Sequence, residues 1–95
     1  PRFKYPPIKR DISFLVDVET AHSEILAEIK SVGKIVRSAV LFDVFRNDKN
    51  PGKKSLAYHI EFQEQEKTLL MEDANILFDE LVSRLKNKFG AEFRV

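Results

Sequence analysis

Asp43 and Phe45 sit two residues apart in "LFDVFR", and Ser55 follows just beyond a turn in "NPGKKSLAYHIEF". Residues two apart on a strand share a face. Alternation therefore groups Asp43 and Phe45 with Ser55, Ala57 and His59 of the next strand on one surface. A carboxylate, an aromatic ring and a hydroxyl in such a group can hold an unpaired nucleic-acid base: the ring stacks while the polar groups bond the base edge. A plainly solvated sheet face bearing one exposed Phe has the same pattern. Other chemistries find no support. His22 and His59 are the only histidines and have no zinc spacing, and cysteine is absent. "GKKS" at 52–55 lacks a Ser or Thr after Lys53, and Asn47 stands where a phosphate loop needs its first Gly. No nucleophile, base and orienting group can be assembled, so the domain reads as non-catalytic.

The elements around these residues follow from their periodicity. "DISFLVDV" (11–18) alternates Ile12, Phe14, Val16 and Val18 against Asp11, Ser13, Leu15 and Asp17, a strand with one buried face. Ala21, Ile25, Ile29 and Val32 form one stripe of a helix, with Thr20 as expected N-cap and Gly33 as expected C-cap glycine. A second strand, 35–45, is expected to turn Val40, Phe42 and Val44 inward and Leu41, Asp43 and Phe45 outward. In the third, Leu56, Tyr58, Ile60 and Phe62 point inward. A longer helix carries Ala74, Leu77, Phe78, Leu81, Val82, Leu85 and Phe89 at helical spacing and stops at Gly90. "AEFRV" ends as a short strand with Glu92 and Arg94 outward. The order β-α-β-β-α-β is an α+β, ferredoxin-like arrangement: a four-stranded antiparallel sheet with both helices on one face. Its other face is open, and the outward residues of all four strands meet there.

Composition agrees with one soluble domain. The chain has 95 residues, 43% hydrophobic and 33% charged, with a net charge of +1 and no apolar run of membrane-spanning length. Charge is unevenly spread. Arg2, Lys4, Lys9 and Arg10 mark a basic, proline-rich segment over residues 1–9 and its junction with the first strand, and Arg46, Lys49, Lys53 and Lys54 surround the turn. Residues 61–80 hold seven acids against Lys67 alone. All eight basic residues are candidates for phosphate contacts, which add affinity without sequence choice. The chain opens without a methionine and reads as one domain, 1–95, cut from the C-terminus of a longer protein. The third strand lacks the aromatic platform of an RNA-recognition motif, so if this sheet binds a base, stacking falls to Phe45.

"YPPIKRDISFLVD", "LFDVFR", "GKKSLAYHIEFQ" and "FGAEFR" together closely resemble the ferredoxin-fold anticodon-binding domain of phenylalanyl-tRNA synthetase, over essentially the whole chain. In bacteria that domain closes the β subunit, and the organellar single-chain enzyme carries a related copy. The resemblance implies a cytoplasmic module that binds the anticodon stem-loop of tRNA(Phe), whose first anticodon base is guanine. It maps base reading onto Asp43, Phe45, Ser55 and Arg94. It implies no cofactor in this domain, with ATP and Mg²⁺ used elsewhere in a parent ligase. The implied protein partners are the rest of the β subunit and the α subunit. Two departures stand out: Phe45 replaces a frequent Tyr, and Leu70 replaces a frequent Thr at the N-cap of the second helix. An ACT-type small-molecule regulatory domain shares the element order, and a protein–protein assembly domain could use the same open sheet. Neither alternative accounts for the family's reading residues falling on one face.

Overall fold

A computed structural model describes residues 5–46 and 48–93. The elements run β1 (Ile8–Asp17), α1 (His22–Lys30), β2 (Val36–Arg46), β3 (Lys53–Phe62), α2 (Met71–Phe89) and β4 (Glu92–Phe93). The sheet order is β2-β3-β1-β4, every neighbouring pair antiparallel. This is the ferredoxin-like arrangement that the periodicity predicts.

One face of the sheet is sealed by the helices because alternation supplies it with an unbroken apolar set. Ile12, Phe14 and Val16 of β1 lie beside Leu56, Tyr58, Ile60 and Phe62 of β3, and all are buried. Ile25 and Ile29 of α1 and Ala74, Leu81 and Leu85 of α2 close over them. The Phe14 and Tyr58 rings stack with centroids 5.9 Å apart, and Phe93 of β4 tilts against Phe14 at 5.3 Å. The helices are also joined at their rims, where Glu28 of α1 accepts Lys88 at 3.1 Å and lies 3.8 Å from Arg84. Exposed pairs of this kind contribute about 0–1 kcal/mol each, so burial and not charge holds the layer.

Two helix ends differ from expectation. The N-cap of α1 is Ala21, with no side-chain capping bond, and Thr20 instead closes a turn onto Asp17. The helix ends at Lys30 with Ser31 as its cap, short of Gly33. Buried Ile25 and Ile29 fix where a short helix must sit, and that overrides cap preference. The end of α2 is as expected: Gly90 takes the left-handed conformation at φ 63°, and its N–H bonds the Lys86 carbonyl at 2.9 Å.

β2 departs from simple alternation. Leu41 opposes Tyr58 while Asp43 opposes Ala57, so Phe42 is an extra residue in a β-bulge. The bulge changes the facing of the first half of the strand. Leu41, expected outward, packs against the core. Val40, expected inward, lies opposite His59 on the open side, and Phe42 stacks on the His59 ring there. Val44 does oppose the core residue Leu56, but it is 48% exposed. Asp43 and Phe45 lie beyond the bulge and face outward as expected.

Candidate nucleic-acid interface

The open face is assembled by register. Phe45 of β2 lies opposite Ser55 of β3, which in turn lies opposite Leu15 of β1; Asp43, Ala57 and Ser13 form the next row. At the turn end of this face a concavity of about 340 Å³ is lined by Ser13, Leu15, Phe45 and Ser55, with Asn50, Lys53 and Lys54 at its edge. Phe45 is 56% exposed, unusual for so large an apolar ring, and it stands at the wall of this concavity. Asp43 is exposed one row away and does not line it. The arrangement offers a stacking surface, two hydroxyls, an amide and two ammonium groups around one opening. That set suits a planar, partly apolar group attached to an anion.

The basic candidates differ in their surroundings. The Lys53 ammonium is 3.0 Å from Asp17 and 3.6 Å from Glu92. The hydrogen bond that the ammonium donates to Asp17, more than the nearby charges, holds its pKa above the ordinary lysine value. Lys53 therefore neutralises the carboxylates around the rim as well as facing the concavity. Lys54 lines the opening, and Arg46, opposite it on β2, is exposed at the same end with Lys49 in the turn. Lys9 is exposed on β1 opposite Glu61. Arg10 is placed otherwise: its guanidinium donates to Asn75 and to the Met71 sulfur at 3.3 Å, and it lies over the Phe78 ring at 5.6 Å. All three partners belong to α2, so Arg10 serves the covered side of the sheet. Arg2, Lys4 and Arg94 lie outside the described residues.

Two residues of this surface are not marked by the sequence pattern. Asn50 was legible only as a turn former, because turn composition does not reveal which way a side chain leans. Alternation alone turns Phe42 toward the core, since "VLFDVF" is apolar at so many positions that either facing fits it.

Among the described residues no cluster of His, Cys, Asp or Glu could hold a metal ion, and no helix is long and apolar enough to cross a membrane.

Comparison with known proteins agrees with the geometry. Over 96 aligned residues, covering 99% of this chain, the sequence is 38% identical to the phenylalanine–tRNA ligase beta subunit of Lactiplantibacillus plantarum. It is 41% identical to that of Syntrophotalea carbinolica over 96% of the chain, and 42% identical to that of Rickettsia prowazekii over 90%. The chain spans only 12%, 12% and 11% of the length of these relatives. The profile of one domain family, the ferredoxin-fold anticodon binding domain, matches residues 4–94. A four-stranded antiparallel sheet with one helix-covered face and one open face, matched from end to end by that profile, makes this chain a member of the ferredoxin-fold anticodon-binding domain family.

Proposed function

We propose that the open sheet face binds the anticodon loop of tRNA(Phe) within a phenylalanine–tRNA ligase β subunit. The observation that carries this reading is the exposed Phe45 ring, held across the ladder from Ser55 at the mouth of a concavity edged by Asn50, Lys53 and Lys54. Phe45 stacks on the first anticodon base, a contribution of about 1–3 kcal/mol. Asp43 accepts hydrogen bonds from the N–H donors on the Watson–Crick edge of guanine, donors that adenine does not present in that pattern. Ser55 adds a hydrogen bond, and Arg94 pairs with phosphate or stacks on a base. Lys54, Lys53, Lys49, Arg46 and Lys9, with Arg2 and Lys4 of the preceding segment, supply phosphate contacts that set affinity but not base choice. The chain contributes recognition; ATP, Mg²⁺ and the α subunit belong to the activity of the parent cytoplasmic enzyme.

The test is an NMR titration of the chain with an anticodon stem-loop carrying the triplet guanine-adenine-adenine, and with the same loop carrying adenine in the first position. Shifts at Asp43, Phe45, Ser55 and Arg94 with the first loop, lost with the second, are expected. Phe45→Ala should weaken the first complex about tenfold or more. Asp43→Asn should level the preference between the two loops. Equal shifts with both loops from the unaltered chain would reduce the face to a phosphate-binding surface.

A further inference from the structure

The open face has a second built feature, at the end away from the turn. The rings of Phe42 and His59 stack face to face with centroids 3.7 Å apart and planes 7° from parallel. His59 Nδ1 lies 2.6 Å from an Asp11 carboxylate oxygen. A carboxylate only accepts, so Nδ1 carries the proton and Nε2 is left to meet a ligand. A concavity of about 390 Å³ opens beside the pair, lined by Lys9, Asp11, Ser38, Val40, His59 and Glu61.

We infer that the Phe42–His59 pair, braced by Asp11, is a second base-binding platform that takes another unpaired, amino-bearing base of the same RNA strand. This rests on the reading of the open face as an RNA surface. Four observations carry it. Phe42 is 48% exposed, and the His59 side chain 54%, so their mutual stacking leaves much of both rings open to a third partner. The rings are already fixed by each other and by Asp11, so a base that docks on them costs little side-chain entropy. The polar groups of the concavity include Asp11 and Glu61, with Lys9 opposite Glu61 across the ladder. Two carboxylates against one ammonium disfavour a phosphate inside the concavity, whereas a carboxylate there accepts a hydrogen bond from the exocyclic amino group of adenine, guanine or cytosine; exposed Lys9 can still meet a phosphate outside it. Finally, the spacing fits. Ser55 and His59 are four residues apart on β3, roughly 13 Å at about 3.4 Å per residue. That exceeds the 3.4 Å step of stacked bases several-fold, so neighbouring bases splayed from a loop can occupy both places, as recognition of unpaired RNA requires.

A cross-strand aromatic pair can also do nothing beyond stabilising the ladder between β2 and β3. Binding separates the two roles. Stem-loops carrying fluorescent 2-aminopurine at the second or at the third anticodon position report stacking by quenching. With the unaltered chain, one of the two positions should be quenched on binding. Phe42→Leu and His59→Ala should each abolish that quenching and weaken the complex about fivefold to tenfold. Both should keep the preference for guanine over adenine at the first position. His59 is exposed and outside the core, so His59→Ala carries the test if Phe42→Leu melts early. Quenching at neither position, or variants that bind like the unaltered chain while Phe45→Leu fails, would overturn the second platform and leave the first reading intact. Absence of any loop binding by the unaltered chain would overturn both.

Discussion

Tyr58 shows how one side chain can tie the core to its edge. Its ring is buried against Phe14, while its hydroxyl shares a 2.8 Å hydrogen bond with Nδ1 of His22 at the start of α1. Burial penalises the phenolate and pushes the Tyr58 pKa from 10.0 up to about 12. A raised pKa for an acid means that the folded chain holds the proton more tightly than the unfolded chain does. The associated stability is fully present below pH 10 and is lost as pH climbs from 10 toward 12. Chemical denaturation followed across that window should show the midpoint falling, and Tyr58→Phe should flatten the fall. The same substitution should cost about 1 kcal/mol at neutral pH, the worth of the hydrogen bond to His22. A midpoint that falls equally in Tyr58→Phe would place the alkaline sensitivity elsewhere.

At the scale of elements, α2 begins without help. Leu70 has the extended backbone of an N-cap, at φ −78° and ψ 147°, but its side chain makes no capping bond, and it is 54% exposed. The N–H groups of Asp73 and Ala74 turn back to the Leu70 carbonyl at 3.1 Å, so the geometry awaits only a polar side chain. Leu70→Asp should therefore stabilise the chain by about 1 kcal/mol, which in a domain of this size raises the melting temperature by about 4–8 °C. Calorimetry checks it, and an unchanged or lower melting temperature would show that Leu70 contributes more by apolar contact than a cap would supply. The missing cap was legible in "TLLMED", as were the order of elements, the core of β1 and β3, and the end of α2 at Gly90. Each of these follows from a local rule applied to a clear pattern. The ends of α1 were less legible: a cap residue contributes about 1 kcal/mol, and burying two isoleucines outweighs it. The bulge in β2 was not legible at all. Its cause is a pairing with β3, and nothing in the run from Val40 to Phe45 marks which residue is the extra one. The sequence still placed Asp43 and Phe45 correctly, because the half of β2 beyond the bulge keeps the facing that alternation assigns it.

For the whole molecule, the proposed function gives this chain recognition alone and leaves the chemistry to the rest of a parent ligase. The chain matches about an eighth of each relative's length. In a full-length ligase carrying Phe45→Ala in this domain, aminoacylation of tRNA should fall by about tenfold or more at limiting tRNA. Amino-acid activation, read by pyrophosphate exchange, should stay unchanged. Parallel loss of both activities would mean that the domain supports the catalytic body itself and does not act through the tRNA.

The bulge at Phe42 has a consequence apart from any ligand. β2 is an edge strand of 11 residues, and Val40, Phe42, Val44 and Phe45 are all about half exposed or more along it. A long, straight, apolar edge is a template onto which a second chain can add its own strand, the first step toward aggregation. The ladder is broken twice, near Arg37 and at Phe42, so no long regular run of free backbone groups is presented to a neighbour. The irregularity that escapes a reading of the sequence thus works against strand addition along a sticky edge.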